Sequence, residues 1–133
     1  MRRISTGVAS ILVLFSLFML GGITSVLAQQ LDVDIIERAS DDLDTCSYGQ
    51  VTGLKAGGDG FLAVRKGPGS KHAKIDELKN GNKIWLFEAR GKWVGVVYGV
   101  QDFSCGPVDA DRPVKTNGKK GWVHSNWVEV LAG

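Results

Sequence analysis

The feature that most constrains the fold is a short apolar stretch that runs into a glycine-proline loop. Residues 60–69 have the sequence Gly-Phe-Leu-Ala-Val-Arg-Lys-Gly-Pro-Gly. In an extended segment, alternate side chains point to opposite faces, so Leu62 and Val64 share one face. The other face carries Phe61, Ala63 and Arg65. Because Gly67-Pro68-Gly69 disfavours both helix and continued strand, the pattern predicts a strand followed by a sharp corner, which is typical of a small β fold.

Further extended segments are predicted on both sides of this corner. In residues 82–88 the side chains alternate, so Ile84 and Leu86 share one face while Trp85 and Phe87 share the other. Turn pairs, Asn-Gly and Arg-Gly, separate neighbouring segments, and no long helix is indicated. We therefore predict an all-β protein, a small barrel or sandwich of five to six short antiparallel strands. The other predicted strands are residues 48–54, 73–78, 93–98, 121–124 and 127–131.

The N-terminus has the pattern of a secretory signal peptide. Arg2 and Arg3 precede an apolar run, and Val26-Leu27-Ala28 places small side chains where a signal peptidase would cut. We predict cleavage after Ala28, with a retained membrane anchor as the alternative. The apolar run is short for a membrane span, and small residues rather than a basic flank follow it.

Cleavage would leave one domain with balanced charge. The precursor has 16 basic and 14 acidic residues, and Arg2 and Arg3 leave with the signal peptide, so 14 of each remain. This neutral balance does not favour nucleic-acid binding, for which a basic surface would be expected. We divide the rest into an acidic lead segment, 29–46, and a barrel domain, 47–133. The lead segment is interpreted as solvated, with a brief helix whose apolar stripe is Leu31, Ile35, Ile36 and Ala39.

Two cysteines, Cys46 and Cys105, remain after cleavage. In an oxidising compartment a single pair is expected to close, so a disulfide is predicted; a free catalytic thiol is the alternative. Cys105 lies in a long loop, residues 99–120, that is rich in proline, glycine and charged residues. The bridge would pin this inserted loop to the start of the domain.

Four motifs in order resemble the bacterial SH3 (SH3b) domain. They are Phe61-Leu-Ala-Val-Arg-Lys-Gly-Pro-Gly69, Leu78-Lys-Asn-Gly-Asn-Lys-Ile84, Gly91-Lys-Trp93 with Val96, and Gly121-Trp-Val-His124 before Trp127-Val128. The likeness runs from about Val51 to Leu131. It implies a small, strongly bent SH3-like barrel, here with the long inserted loop as a departure. The core that it implies is Leu62, Val64, Ile84, Leu86, Val96 and Val123.

Aromatic side chains are the candidate ligand-binding residues. One hypothesis is an exposed groove that receives an extended peptide or a sugar ring, since flat rings offer large contact area at low entropy cost. The alternative is that the inserted loop folds over Trp85 and Phe87 as a second small core. The predicted groove residues are Trp85, Phe87, Trp93, Tyr98 and Trp122.

No catalytic, metal or cofactor site is predicted. His72 and His124 lie outside any catalytic motif, and no close ligand pair such as Cys-x-x-Cys is present. We therefore predict a periplasmic or secreted, non-enzymatic binding module that recognises a cell-wall peptide or an envelope protein. No nucleic acid, and no membrane after cleavage, is expected as a partner. The alternative function is an inhibitor or immunity-like protein that blocks an exported enzyme with its inserted loop and acidic lead segment.

Overall fold

The described part of the chain is built from antiparallel strands and short connections. The computed structural model describes residues 33–55, 58 and 60–133. The predicted signal peptide, residues 1–28, lies outside them. The described residues contain one 3-10 helix, Ser125–Trp127, and no α-helix. The strands are β1 Ile36–Glu37, β2 Ser47–Val51, β3 Leu62–Arg65, β4 Lys74–Leu78, β5 Lys83–Arg90, β6 Trp93–Tyr98, β7 Arg112–Pro113, β8 Lys119–His124 and β9 Val128–Ala132.

Seven of these strands form one sheet in the order β4-β3-β8-β6-β5-β2-β9, and β1 pairs with β7 separately. The all-β, SH3-like fold class is confirmed. The main sheet has seven strands rather than the predicted five to six, and its edge strands β4 and β9 are not paired with each other, so the barrel is not closed. All the strand pairs are antiparallel.

The first core lies on one face of the main sheet. Leu62 and Val64 on β3 are buried in it, as their alternation predicted. A Cβ on Gly121 of β8 would overlap the Val64 side chain, so glycine at this position lets β8 lie close against β3. Ile84, Val96 and Val123 are also buried, and Leu86 packs against them while partly exposed.

A second core lies on the opposite face of the sheet. It is covered by residues 33–46 and 99–120, which we call the covering layer. Val33 and Ile35 are fully buried in this core, and Ile35 packs directly over Gly95 of β6, where a Cβ would come within 2.9 Å of it. The predicted solvated helix is therefore wrong for the described residues, because apolar contacts with the sheet outweigh the acidic composition and hold the segment extended.

The disulfide between Cys46 and Cys105 is confirmed, and it joins the two halves of the covering layer. Beside it, the Thr45 backbone N–H donates to the Cys105 carbonyl at 2.6 Å. Glu37, only 4% exposed, accepts from Arg112 Nε at 2.8 Å and from the Thr45 hydroxyl at 2.7 Å. These contacts satisfy the buried carboxylate and tie the lead segment to the inserted loop.

Within residues 33–55, 58 and 60–133, no helix has both the length and the apolar character needed to span a membrane.

Candidate functional site

The five predicted groove residues do not form one open surface. Trp122, Trp85 and Tyr98 are 1%, 5% and 6% exposed, so the predicted exposed groove is wrong for these three. Phe87 and Trp93 are partly exposed.

Tyr98 also lies on a different face from the other four. Residues paired across neighbouring antiparallel strands share a face of the sheet. Tyr98 pairs with Ile84 and therefore lies in the first core, whereas Trp85 pairs with Val97 and Trp122 with Gly95. The registers of β5, β6 and β8 thus separate Tyr98 from the tryptophans.

The covering layer occupies the face on which Trp85 and Phe87 lie. Phe103 of the inserted loop contacts Phe87 edge-on, with ring centroids 5.3 Å apart. Trp85 packs against Tyr48, with ring centroids 5.4 Å apart, and the Arg90 guanidinium lies 5.1 Å from the centre of the Trp122 ring. The structure therefore shows the alternative considered above, in which the inserted loop builds a second core over these rings.

Trp93 lines an open cleft to which the other four predicted groove residues do not contribute. The cleft has a volume of about 420 Å³ and lies between the β3–β4 hairpin, the end of β8 and the 3-10 helix. Phe61, Ala63 and Arg65 line it because they are on the outward face of the β3 stretch. We call it the Phe61–Trp93 cleft. Its lining residues are Phe61, Leu62, Ala63, Arg65, Lys74, Trp93, His124 and Trp127.

His124 shapes one wall of this cleft. Its ring meets Trp93 nearly perpendicularly, with centroids 5.4 Å apart. Its Nδ1 accepts a hydrogen bond from the Asn126 backbone N–H at 3.2 Å, so the imidazole caps the 3-10 helix that carries Trp127. These contacts orient the rings of Trp93 and Trp127 and give His124 a structural role.

The charged groups of the cleft are basic. Lys74 Nζ lies 4.7 Å from the centre of the Phe61 ring and 2.6 Å from Glu77 Oε1. Arg65 Nη1 donates to the His72 carbonyl at 2.9 Å, whereas its buried Nε has no hydrogen-bond partner among the described residues. The partner of Arg65 is therefore a backbone carbonyl and not an acidic side chain. No aspartate or glutamate is among the described residues that line the cleft.

A second cleft, of about 390 Å³, lies beyond β4 and is less suited to a ligand. Asp76 accepts from the Tyr98 hydroxyl at 2.9 Å, from Lys119 at 3.3 Å and from the Glu77 backbone N–H at 2.8 Å. Burial opposes ionisation of Asp76, yet these hydrogen bonds hold its pKa below the ordinary value. Burial and the bond to Asp76 raise the pKa of Tyr98. The polar groups at the centre of the second cleft are therefore already hydrogen-bonded to one another.

Two of the lining residues, Phe61 and Trp127, were missed as binding residues by the sequence analysis. The available signal was the outward face shared by Phe61, Ala63 and Arg65. Trp127 had been assigned to a final strand, but it lies in the 3-10 helix. Among the residues that the structure describes, no three His, Cys, Asp or Glu side chains are grouped to hold a metal ion.

Comparison with known proteins adds one match. The family model described as bacterial SH3 domain matches residues 60–129, which include β3 to β8 and every residue of the Phe61–Trp93 cleft. No curated protein and no solved structure matches the chain.

Proposed function

The chain belongs to the bacterial SH3 domain family, a family of binding domains, and from this we propose that it is a non-enzymatic binding module that holds a cell-wall peptide in the Phe61–Trp93 cleft. The observation that carries the proposal is the convergence of Phe61, Trp93 and Trp127 on one open cleft beside Arg65. Rings of this kind bury much area with few rotatable bonds, and they are enriched in the residues that dominate binding energy. An extended peptide suits the cleft because it can lie along the three rings.

The family and the disulfide support a location outside the cytoplasm. We propose export through the N-terminal signal peptide, residues 1–28. The protein exported from the full coding sequence is expected to begin at Gln29 and to weigh two hydrogen atoms less than its reduced form, because Cys46 and Cys105 are joined. Intact mass spectrometry under non-reducing conditions measures both. A mass that retains residues 1–28 would contradict the proposed cleavage.

Replacing Phe61 with alanine is expected to weaken binding to purified peptidoglycan by about ten-fold or more, the usual cost of truncating a central aromatic contact. Phe61 lies outside both buried cores, so the melting temperature should change little. Binding is measured by co-sedimentation with peptidoglycan and by fluorescence titration with soluble wall fragments. Trp93 and Trp127 line the cleft and should report occupancy.

The matched control is Leu43→Ala, which removes an apolar side chain that is 70% exposed and does not line the cleft. It should leave peptidoglycan binding unchanged. Equal binding by Phe61→Ala and wild type would exclude the cleft as the binding site.

The exposed Leu43 also favours the second candidate, an inhibitor of an exported enzyme. It stands in an acidic turn with Asp41, Asp42 and Asp44, all exposed, close to the disulfide at Cys46. Such a turn would suit a basic protein surface. If this candidate is right, the exported protein retains one stoichiometric protein partner from an envelope extract, does not sediment with peptidoglycan, and loses the partner in Leu43→Ala.

A further inference from the structure

We propose that the ligand of the Phe61–Trp93 cleft is a cell-wall peptide with a free C-terminal carboxylate, and that the Arg65 guanidinium binds this carboxylate. The inference rests on the proposed function and adds the chemical class of the ligand and the residue that selects it. The charged residues of the cleft and the contacts that each already makes within the protein support this proposal.

Two residues of the cleft carry a full positive charge, and only one of them has an acidic partner. Lys74 forms an ion pair with Glu77 at 2.6 Å, so its charge is largely compensated within β4. Arg65 forms no ion pair with any described carboxylate; its contact is a hydrogen bond of 2.9 Å to the neutral His72 carbonyl. A ligand that enters the cleft therefore meets an uncompensated guanidinium.

The position of Arg65 suits recognition better than a mobile surface arginine would. Its backbone lies in β3, paired with Lys74 on one side and Trp122 on the other. The His72 carbonyl, presented by the corner at residues 66–73, holds one end of the guanidinium. A guanidinium held in this way loses little further side-chain entropy when a ligand binds.

The remaining N–H groups of Arg65 match a carboxylate. One Nη1 hydrogen goes to the His72 carbonyl and Nε is buried, so the second Nη1 hydrogen and the two Nη2 hydrogens are the donors left for a ligand. Arginine and carboxylate pair through two parallel hydrogen bonds, and partial burial strengthens such a pair. A neutral amide at the same place would supply one acceptor and no charge.

The test uses two synthetic peptides of cell-wall composition that differ only at the C-terminus, one ending in a free carboxylate and the other in an amide. Neither has another carboxylate. Fluorescence titration of the exported protein is expected to show about ten-fold or more tighter binding of the acid, as for a hydrogen-bonded charge. In Arg65→Met the two peptides should bind equally, and in Arg65→Lys a reduced preference should remain because the charge is kept and the paired geometry is lost.

Lys74→Met is the matched control, because it removes the other cation of the cleft and should keep the preference for the acid. Loss of the preference in Lys74→Met with its retention in Arg65→Met would overturn the assignment to Arg65. Equal binding of both peptides by the wild type, still abolished by Phe61→Ala, would overturn the carboxylate inference and leave the proposed function standing. Binding of neither peptide would overturn both. The wild-type comparison is decisive by itself if Arg65→Met fails to fold.

Discussion

Replacing Cys46 and Cys105 together with alanine is expected to lower the free energy of unfolding by about 4 kcal/mol, a large part of the stability of a small domain. The bridge spans a sequence separation of 59 residues and so removes much of the freedom of the unfolded chain. It also holds the two halves of the covering layer together over Trp85 and Trp122. Equilibrium denaturation in urea measures the loss.

Reduction of the wild-type protein with dithiothreitol is the matched control, and it should lower the free energy of unfolding by a similar amount. Both samples should also show weaker near-ultraviolet circular dichroism, because the tryptophans beneath the layer lose their fixed surroundings. A loss of less than about 1 kcal/mol would mean that the apolar contacts of Val33, Ile35 and Val114 hold the layer without the bridge.

Trp122→Ala is expected to lower the free energy of unfolding by about 3–5 kcal/mol, the range measured for truncating a large buried aromatic residue. Trp122 is 1% exposed and lies on β8, between β3 and β6, where its removal leaves a cavity next to both neighbouring strands. Thermal and urea denaturation measure the effect. Any weaker ligand binding should follow the fraction of unfolded protein.

Trp93→Ala is the matched comparison, because it removes the same side chain from a partly exposed position that lines the cleft. It should destabilise the protein less and weaken peptidoglycan binding more. A Trp122→Ala variant that remains as stable as wild type but binds less would contradict the burial of Trp122 and restore it to the binding surface.

The strands and the first core were predictable because they depend on local patterns. Alternation placed Leu62 with Val64 and Ile84 with Leu86, and a period of two residues is a property of any strand whatever its neighbours. The corner at Gly67 was likewise predictable from the local sequence. There a Cβ would overlap the ring of the exposed His72, so a larger residue would displace this side chain. The family resemblance then implied an SH3-like fold, and the match to residues 60–129 shows the family.

The binding surface was not predictable in the same way, because it depends on which side chains are covered by distant parts of the chain. Alternation correctly placed Trp85 and Phe87 opposite Ile84 and Leu86, but it could not show that Phe103 lies over Phe87. Tyr98 was grouped with the tryptophans because both faces of β6 are apolar, and only its pairing with Ile84 assigns it to the first core.

The sequence by itself determined the all-β class, the approximate positions of the main-sheet strands, most of the first core and the cysteine pair, because each follows from local alternation, turn residues or the pairing of two thiols in an oxidising compartment. Only the tertiary structure decided that Val33 and Ile35 of the lead segment are buried, that the inserted loop covers Trp85 and Trp122, and that Phe61, Trp93 and Trp127 meet beside Arg65. Those outcomes depend on contacts between residues far apart in the chain, whose burial no local pattern records.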